Sequence, residues 1–201
     1  MTGTADETAT PLGLEEDALV ARAQDGDLDA FERLVDAYQG RIFRLGYRML
    51  ANREEAEDVV QDTLIAAWRK LPTLASPGAF SGWVYQVATN RCFDLLRQRS
   101  TRPSDATDPS DLVEAANSDL PTRSAGSSDP AHEAEITAQM TDLARLLKKI
   151  PPEQRACWLL REVHGRSYAE IAHILSIEQS TVRGRIARAR IQLAEGMTPW
   201  R

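Results

Sequence analysis

Four arginines, Arg183, Arg185, Arg188 and Arg190, fall within residues 180–190, and no acidic residue lies among them. A guanidinium presents paired donors that match the acceptor edge of guanine and, equally, the oxygens of a phosphate; an α-helix fits the DNA major groove. The chemistry on offer is recognition of a duplex by hydrogen bonds and charge. Ile171, Ala172 and Leu175 have the spacing to face inward from a short helix, Ile177 to fill a turn, and Val182 and Ile186 to face inward from the next helix. Small Ala172 lets two helices cross closely, as a helix-turn-helix requires. Gln179, Ser180, Arg183, Gly184, Ala187 and Arg188 are left on the outer face. The competing reading is a plain helical hairpin with a solvated basic face.

Two other constellations carry charge or aromatic surface. Glu54, Glu55, Glu57, Asp58 and Asp62 crowd the first turns of a helix opened by Asn52. Acids there complement the positive end of the helix dipole and keep the surface soluble; the same group suits docking of a basic protein. Further on, Phe80, Trp83, Tyr85, Asn90, Arg91, Phe93, Arg97 and Arg99 interleave rings with basic side chains and an amide. Such a mixture can stack on unpaired bases, although Trp83, Val87 and Leu95 also have the spacing of ordinary core. Catalysis finds no footing. His132, His164 and His173 are scattered without a Cys, Ser or carboxylate at a telling spacing, and no Walker loop or dinucleotide glycine motif occurs. Cys92 and Cys157 are the only cysteines and read as small helix residues. No metal and no cofactor are expected.

The elements that must hold these groups are helical throughout. Phe31, Leu34, Val35 and Tyr38 recur at i, i+3, i+4 and i+7, and Ile42, Leu45, Met49 and Leu50 continue the stripe beyond Gly40. An earlier helix stops at Gly26. The helix capped by Asn52 has Val59, Val60, Thr63, Leu64, Ala67 and Trp68 as its apolar side, and Ser76-Pro77 opens a fourth helix reaching Arg99. Asp129-Pro130 starts a helix carrying Ile136, Met140, Leu143, Leu146 and Leu147, which Pro151-Pro152 breaks. A helix over 155–163 then stops at Gly165, a short one begins at the capping box of Ser167 and Glu170, and a last one covers 179–195.

With 201 residues, 42% hydrophobic and 27% charged, the composition is that of an ordinary globular chain. The net charge of −6 is unevenly spread: residues 1–30 carry −7, 31–100 carry +2, 101–142 carry −7 and 143–201 carry +6. Overall acidity therefore does not exclude DNA as a partner. From Ser100 to Asp129, Pro103, Pro109, Pro121, Gly126 and many Ser, Thr and Asp read as an acidic linker that joins two domains flexibly. No apolar run approaches the ~18 residues of a membrane span, and the acidic N-terminus lacks a signal peptide's basic start. A soluble, cytoplasmic protein with no membrane insertion is expected.

Three segments, in order, resemble a known family. AEDVVQDTLIAAWRKL (56–71), FSGWVYQVATNRCFDLLRQR (80–99) and IPPEQRACWLLREVHGRSYAEIAHILSIEQSTVRGRIARARIQL (150–193) resemble regions 2.2, 2.3–2.4 and 4 of bacterial sigma factors of the extracytoplasmic-function (ECF) group. The resemblance implies an all-α fold of two small helical domains: an acidic arm over 1–13, region 2 over 14–100, a flexible acidic linker over 101–129, and the region 4 helix-turn-helix over 130–197. It implies an alternative sigma factor, not an enzyme, that binds core RNA polymerase and directs promoter recognition and opening. Region 4 would read the duplex −35 element through Ser167, Tyr168, Gln179, Ser180, Thr181, Arg183, Arg185, Ala187, Arg188 and Arg190. Region 2 would hold the single-stranded −10 element through Thr73, Leu74, Ser76, Trp83, Asn90, Arg91 and Arg97, with loop 71–78 taking a flipped-out base. Asp58, Val59, Gln61 and Asp62 would dock on the coiled coil of the largest polymerase subunit. The linker would thread the basic RNA-exit path, and an anti-sigma factor would sequester the free monomer.

The chain departs from the family pattern at three places. Ser176 stands where the turn usually has Gly, Glu178 replaces the customary Ser or Thr cap of the recognition helix, and Ser180 replaces a usual Gly. A left-handed turn residue other than Gly carries modest strain. The other functional readings are a free-standing helix-turn-helix regulator, which would bind duplex operators as a dimer without polymerase, and a helical adaptor whose basic helix meets an acidic partner.

Overall fold

A computed structural model of the chain describes residues 12–101 and 145–196. The acidic arm, nearly all of the linker and the helix start at Asp129-Pro130 lie outside the described residues. The described residues form α-helices and 3₁₀ turns, with no strand among them. Helix α1 (Leu12–Gln24) ends before Gly26, whose φ of +92° glycine adopts without a Cβ clash. Asp27 caps α2 (Leu28–Leu50), its carboxylate accepting from the Ala30 N–H. Helix α2 runs unbroken through Gly40, and its buried stripe includes Leu34, Tyr38, Ile42, Leu45 and Met49. At Gly46 on that stripe an added Cβ would lie 3.4 Å from the Ala56 backbone, so two helices cross closely there. Asn52 caps the second of them, α3 (Arg53–Lys70), by accepting from the Glu55 N–H.

Two 3₁₀ turns, Leu71–Thr73 and Pro77–Ala79, lead into α4 (Phe80–Thr101). This helix outruns its expected end and takes in Ser100 and Thr101, which the linker was expected to hold. Residues 145–149 are helical, and after Pro151 come α5 (Pro152–Glu162), α6 (Tyr168–Leu175) and α7 (Gln179–Gly196). No described helix is long and apolar enough to cross a membrane.

The two sets of helices share one apolar cluster, running from Val20 and Leu34 through Tyr85 and Cys92 to Leu160 and Ile186. The two helical domains meet along a packed seam, α2 against α5 and α4 against α6. Polar groups tie the seam. Arg155, only 5% exposed, donates to the Met49 carbonyl at the end of α2 and to those of Lys148 and Ile150. Backbone carbonyls at and just beyond a helix end need outside donors, and a guanidinium supplies several at once. Tyr85 Oη lies 3.1 Å from His164 Nδ1, with the rings 5.1 Å apart, and Arg166 sits 4.5 Å over the Tyr85 ring.

His164 was expected as a simple helix-end residue. Instead, burial and then Arg48, Arg44, Arg41 and Arg166 push its pKa down to about 3. The imidazole is therefore neutral in the fold, whereas in an open chain it titrates near 6.5. Its contribution is complete above pH 6.5 and is lost as pH falls towards 3, by up to ~1.4 kcal/mol per pH unit. The fall in thermal midpoint between pH 7 and pH 5 should be smaller in His164→Leu than in the parent. Equal falls would show that this ring does not govern the acid response.

Candidate nucleic-acid interface

The helix-turn-helix is built by local signals. Ser167 accepts from the Glu170 N–H while the Glu170 carboxylate accepts from the Ser167 N–H, completing the capping box that starts α6. Ile171 and Ile174 bury against Val182, Ile186, Ala189 and Leu193 of α7 and the α5 face. Ile174 was missed as a core residue, and Ala172 and Leu175, expected inside, are only partly buried. Ser176 takes φ 53° and ψ 47°, and its N–H closes α6 onto the Ala172 and His173 carbonyls. A Cβ costs roughly 1 kcal/mol in that left-handed region. Ser176→Gly should therefore raise the thermal midpoint by a few degrees with DNA binding intact; an unchanged or lower midpoint would mean the turn carries no strain.

The basic residues of α7 divide into two groups. Arg183 and Arg188 are exposed, Arg183 lying 5.8 Å over the Tyr168 ring and 3.4 Å from Gln179 Oε1. Ser167, Gln179, Ser180 and Ala187 share the exposure, Thr181 and Tyr168 are half-buried, and Arg161 stacks on Tyr168 at 4.9 Å. Arg190 pairs instead with Glu162 at 2.6 Å. Arg185 leans towards buried Cys157, whose thiol pKa burial raises and Arg185 partly lowers. Both arginines thus have partners on the neighbouring helix α5.

On the other half, Trp83, Gln86, Asn90 and Arg97 recur along one side of α4 at helical spacing. Asn90 and Arg97 are exposed, Arg97 pairs with Asp94, and Trp83 is half-buried. Phe80 and Tyr85, at 2% and 1% exposure, are core and cannot stack on bases. Arg99 is also structural, bonded to Glu55 and the Leu50 carbonyl. Ahead of α4, Gln24 Nε2 donates to the Leu71 and Leu74 carbonyls at 3.1 and 3.0 Å, fixing the loop that exposes Thr73 and Ser76. Leu74 itself packs on the core.

Along α3 Glu54, Glu57, Asp58, Gln61 and Asp62 are exposed as an acidic stripe that runs on to exposed Ile65 and Trp68, with exposed Arg53 at the start of the helix and Arg69 and Lys70 at its end. Val59, expected to make contact there, is fully buried and supports the face from beneath. Trp68, expected on the apolar inner side, is 43% exposed and leans on Phe31 at a centroid distance of 4.8 Å; Ile65 is 42% exposed. The i, i+4, i+7 spacing from Gln61 to Ile65 and Trp68 was the available signal. Asp62 lies 2.8 Å from half-buried Arg91 on α4, which draws one acidic and one basic candidate into a single pair. Among the described residues no group of three or more His, Cys, Asp or Glu could hold a metal.

The sigma-70 region 2 family matches residues 34–102, and the sigma-70 region 4 family matches residues 140–193. The chain is 33% identical over 188 residues to the RNA polymerase sigma-H factor of Pseudomonas aeruginosa, covering 92% of this chain and 95% of that one. The chain belongs to the sigma-70 family. It is similar also to the ECF RNA polymerase sigma factor SigE of Mycolicibacterium smegmatis, 32% identical over 87% of this chain and 64% of that one. CnrH, solved in complex with the cytosolic domain of CnrY, has a TM-score of 0.63 at 26% identity, covering 90% of this chain and 95% of that one. This sigma factor is of the ECF group: a transcription initiation factor, not an enzyme, that binds core RNA polymerase and promoter DNA through regions 2 and 4.

Proposed function

We propose that α7 of this sigma factor lies in the major groove of the −35 element, with Arg183 and Arg188 reading base edges. Gln179, Ser180, Thr181 and Ala187 flank them, while Ser167, Tyr168, Arg185 and Arg190 face the phosphates or brace the helix. The single observation that carries this reading is the exposed arginine pair on the outer face of a capped helix-turn-helix. Region 2 captures the opened −10 strand along Trp83, Asn90, Arg91 and Arg97, with Thr73, Leu74 and Ser76 forming the pocket for a flipped base. The unstacking costs a few kcal/mol, which the pocket must return by stacking and hydrogen bonds. Core polymerase docks on Asp58, Gln61 and Asp62, and we extend that face to Ile65 and Trp68. Region 2 then occupies 14–100 and region 4 130–197, with an acidic arm over 1–13 and the acidic linker over 101–129.

The site of action is the cytoplasm, with promoter DNA and polymerase. The likeness to CnrH, held with the cytosolic domain of CnrY, supports an anti-sigma factor as the sequestering partner of the free monomer. Run-off transcription with purified core polymerase tests the whole reading: the chain should direct initiation from a cognate promoter that core alone ignores. Occupation of DNA without any association with core would make it a free-standing helix-turn-helix regulator instead.

A further inference from the structure

The loop from 71 to 79 joins α3 to α4 and closes its turns locally. Pro72 and Pro77 fix φ in the two 3₁₀ turns. The Leu74 N–H donates to the Leu71 carbonyl, the Ala79 N–H to that of Ser76, and the Thr73 hydroxyl to that of Lys70. Leu71 is buried and Leu74 packs on the core, which sets how deep the loop sits. Apolar contact has no direction, however, so two inward side chains leave the segment free to roll about them. Hydrogen bonds have direction, and those that stop the roll come from α1, 47 and 50 residues away in sequence.

One amide makes both of them: Gln24 Nε2 donates to the Leu71 and Leu74 carbonyls, bracketing the first turn. Asp17, seven residues earlier and so on the same side of α1, lies against the second turn, its carboxylate 3.7 Å from where a Cβ on Gly78 would stand. One face of α1 therefore runs along the loop. The helix is docked independently of Gln24, through buried Val20 and Ala23 and through Glu16, which accepts from Tyr38 Oη.

We infer that Gln24 is a positioning residue for −10 recognition: its amide sets the shape of the pocket that the loop offers a flipped base, without touching DNA. The inference rests on the assignment of that loop as the pocket. A primary amide has two N–H groups, and the two carbonyls use both, so none is left for a base. Thr73 and Ser76 are the exposed hydroxyls of the loop, and their aim follows the roll of its backbone. A site whose supporting contacts are lost loosens by about an ångström, enough to bind right and wrong bases alike.

Gln24→Met keeps the length and helix preference of the side chain and removes its donors, whereas Gln24→Lys puts donors back. Run-off transcription by each holoenzyme, from promoters carrying every base in turn across the −10 element, reads the preference. Thr73→Ala and Ser76→Ala mark the position that the loop reads. At that position Gln24→Met should lower base discrimination about tenfold, the worth of two neutral hydrogen bonds. Penalties for −35 substitutions should stay at the parent's values, and Gln24→Lys should restore most of the −10 discrimination. Unchanged discrimination in Gln24→Met, or equal loss in the Met and Lys variants, would overturn the positioning role. An even loss over all −10 and −35 promoters would overturn it too, since that is what general unfolding gives. If neither Thr73→Ala nor Ser76→Ala shifts any −10 preference, the pocket assignment itself fails, and the inference with it.

Discussion

Arg188→Ala and Arg183→Ala should each weaken −35 duplex binding by the holoenzyme by ~1–3 kcal/mol, roughly 5- to 150-fold. Among the described residues neither guanidinium pairs with an acid: Arg183 lies against Gln179 and the Tyr168 face, and Arg188 stands exposed further along. Arg190 provides the internal comparison. Its pairing with Glu162 at 2.6 Å already occupies the guanidinium, so Arg190→Ala should cost well under 1 kcal/mol of sequence-specific binding and act mainly on the salt dependence. Fluorescence anisotropy at several salt concentrations, with cognate and scrambled duplexes, separates the two effects. If Arg183, Arg188 and Arg190 substitutions all lowered cognate and scrambled binding alike, α7 would be a phosphate rail rather than a base reader.

The second large effect belongs to the other partner. Trp68→Ala should weaken assembly with core polymerase by ~2 kcal/mol, about 30-fold, because a half-exposed tryptophan at the end of an acidic stripe has the character of an interface anchor. Asp58→Lys should act differently, slowing association in a salt-dependent way while changing dissociation little, as a rim charge does. Asp62 is the poorer choice for this test, since its replacement also breaks the pair with Arg91 on α4. Trp68 leans on Phe31 from one side only, so Trp68→Phe should keep the fold and recover part of the affinity. Surface plasmon resonance with immobilised core gives both rate constants; normal assembly by Trp68→Ala would return the docking face to its acidic members alone.

The sequence revealed most where the determinant was local. The capping box at Ser167 and Glu170, the Asn52 cap, the stop at Gly26 and the left-handed turn at Ser176 each depend on a few neighbouring residues, and each appears as read. Helical periodicity placed Leu34, Tyr38, Ile42 and Leu45 inside, as found. What escaped depended on distant partners. Trp68 has the hydropathy of core, and only the line of α2 beneath it decides that one face of the ring stays wet. Tyr85 was read as a possible base-stacking ring because nothing nearby announced His164, 79 residues on. Arg155 was likewise invisible as a seam residue, since a lone arginine in a helix reads as solvated until the carbonyls of Met49 and Ile150 are brought to it. Composition likewise marks a linker, but it cannot say whether the parts it joins touch.

The two buried sulfurs have a consequence of their own. Cys92 is fully enclosed, and burial, reinforced by Glu55, pushes its thiol up to about 12. At neutral pH only about one molecule in a hundred thousand carries the reactive thiolate there. Cys157 is equally enclosed, and its thiol is also raised by burial. Peroxide or disulfide stress therefore meets a folded chain in which neither cysteine offers an accessible thiolate.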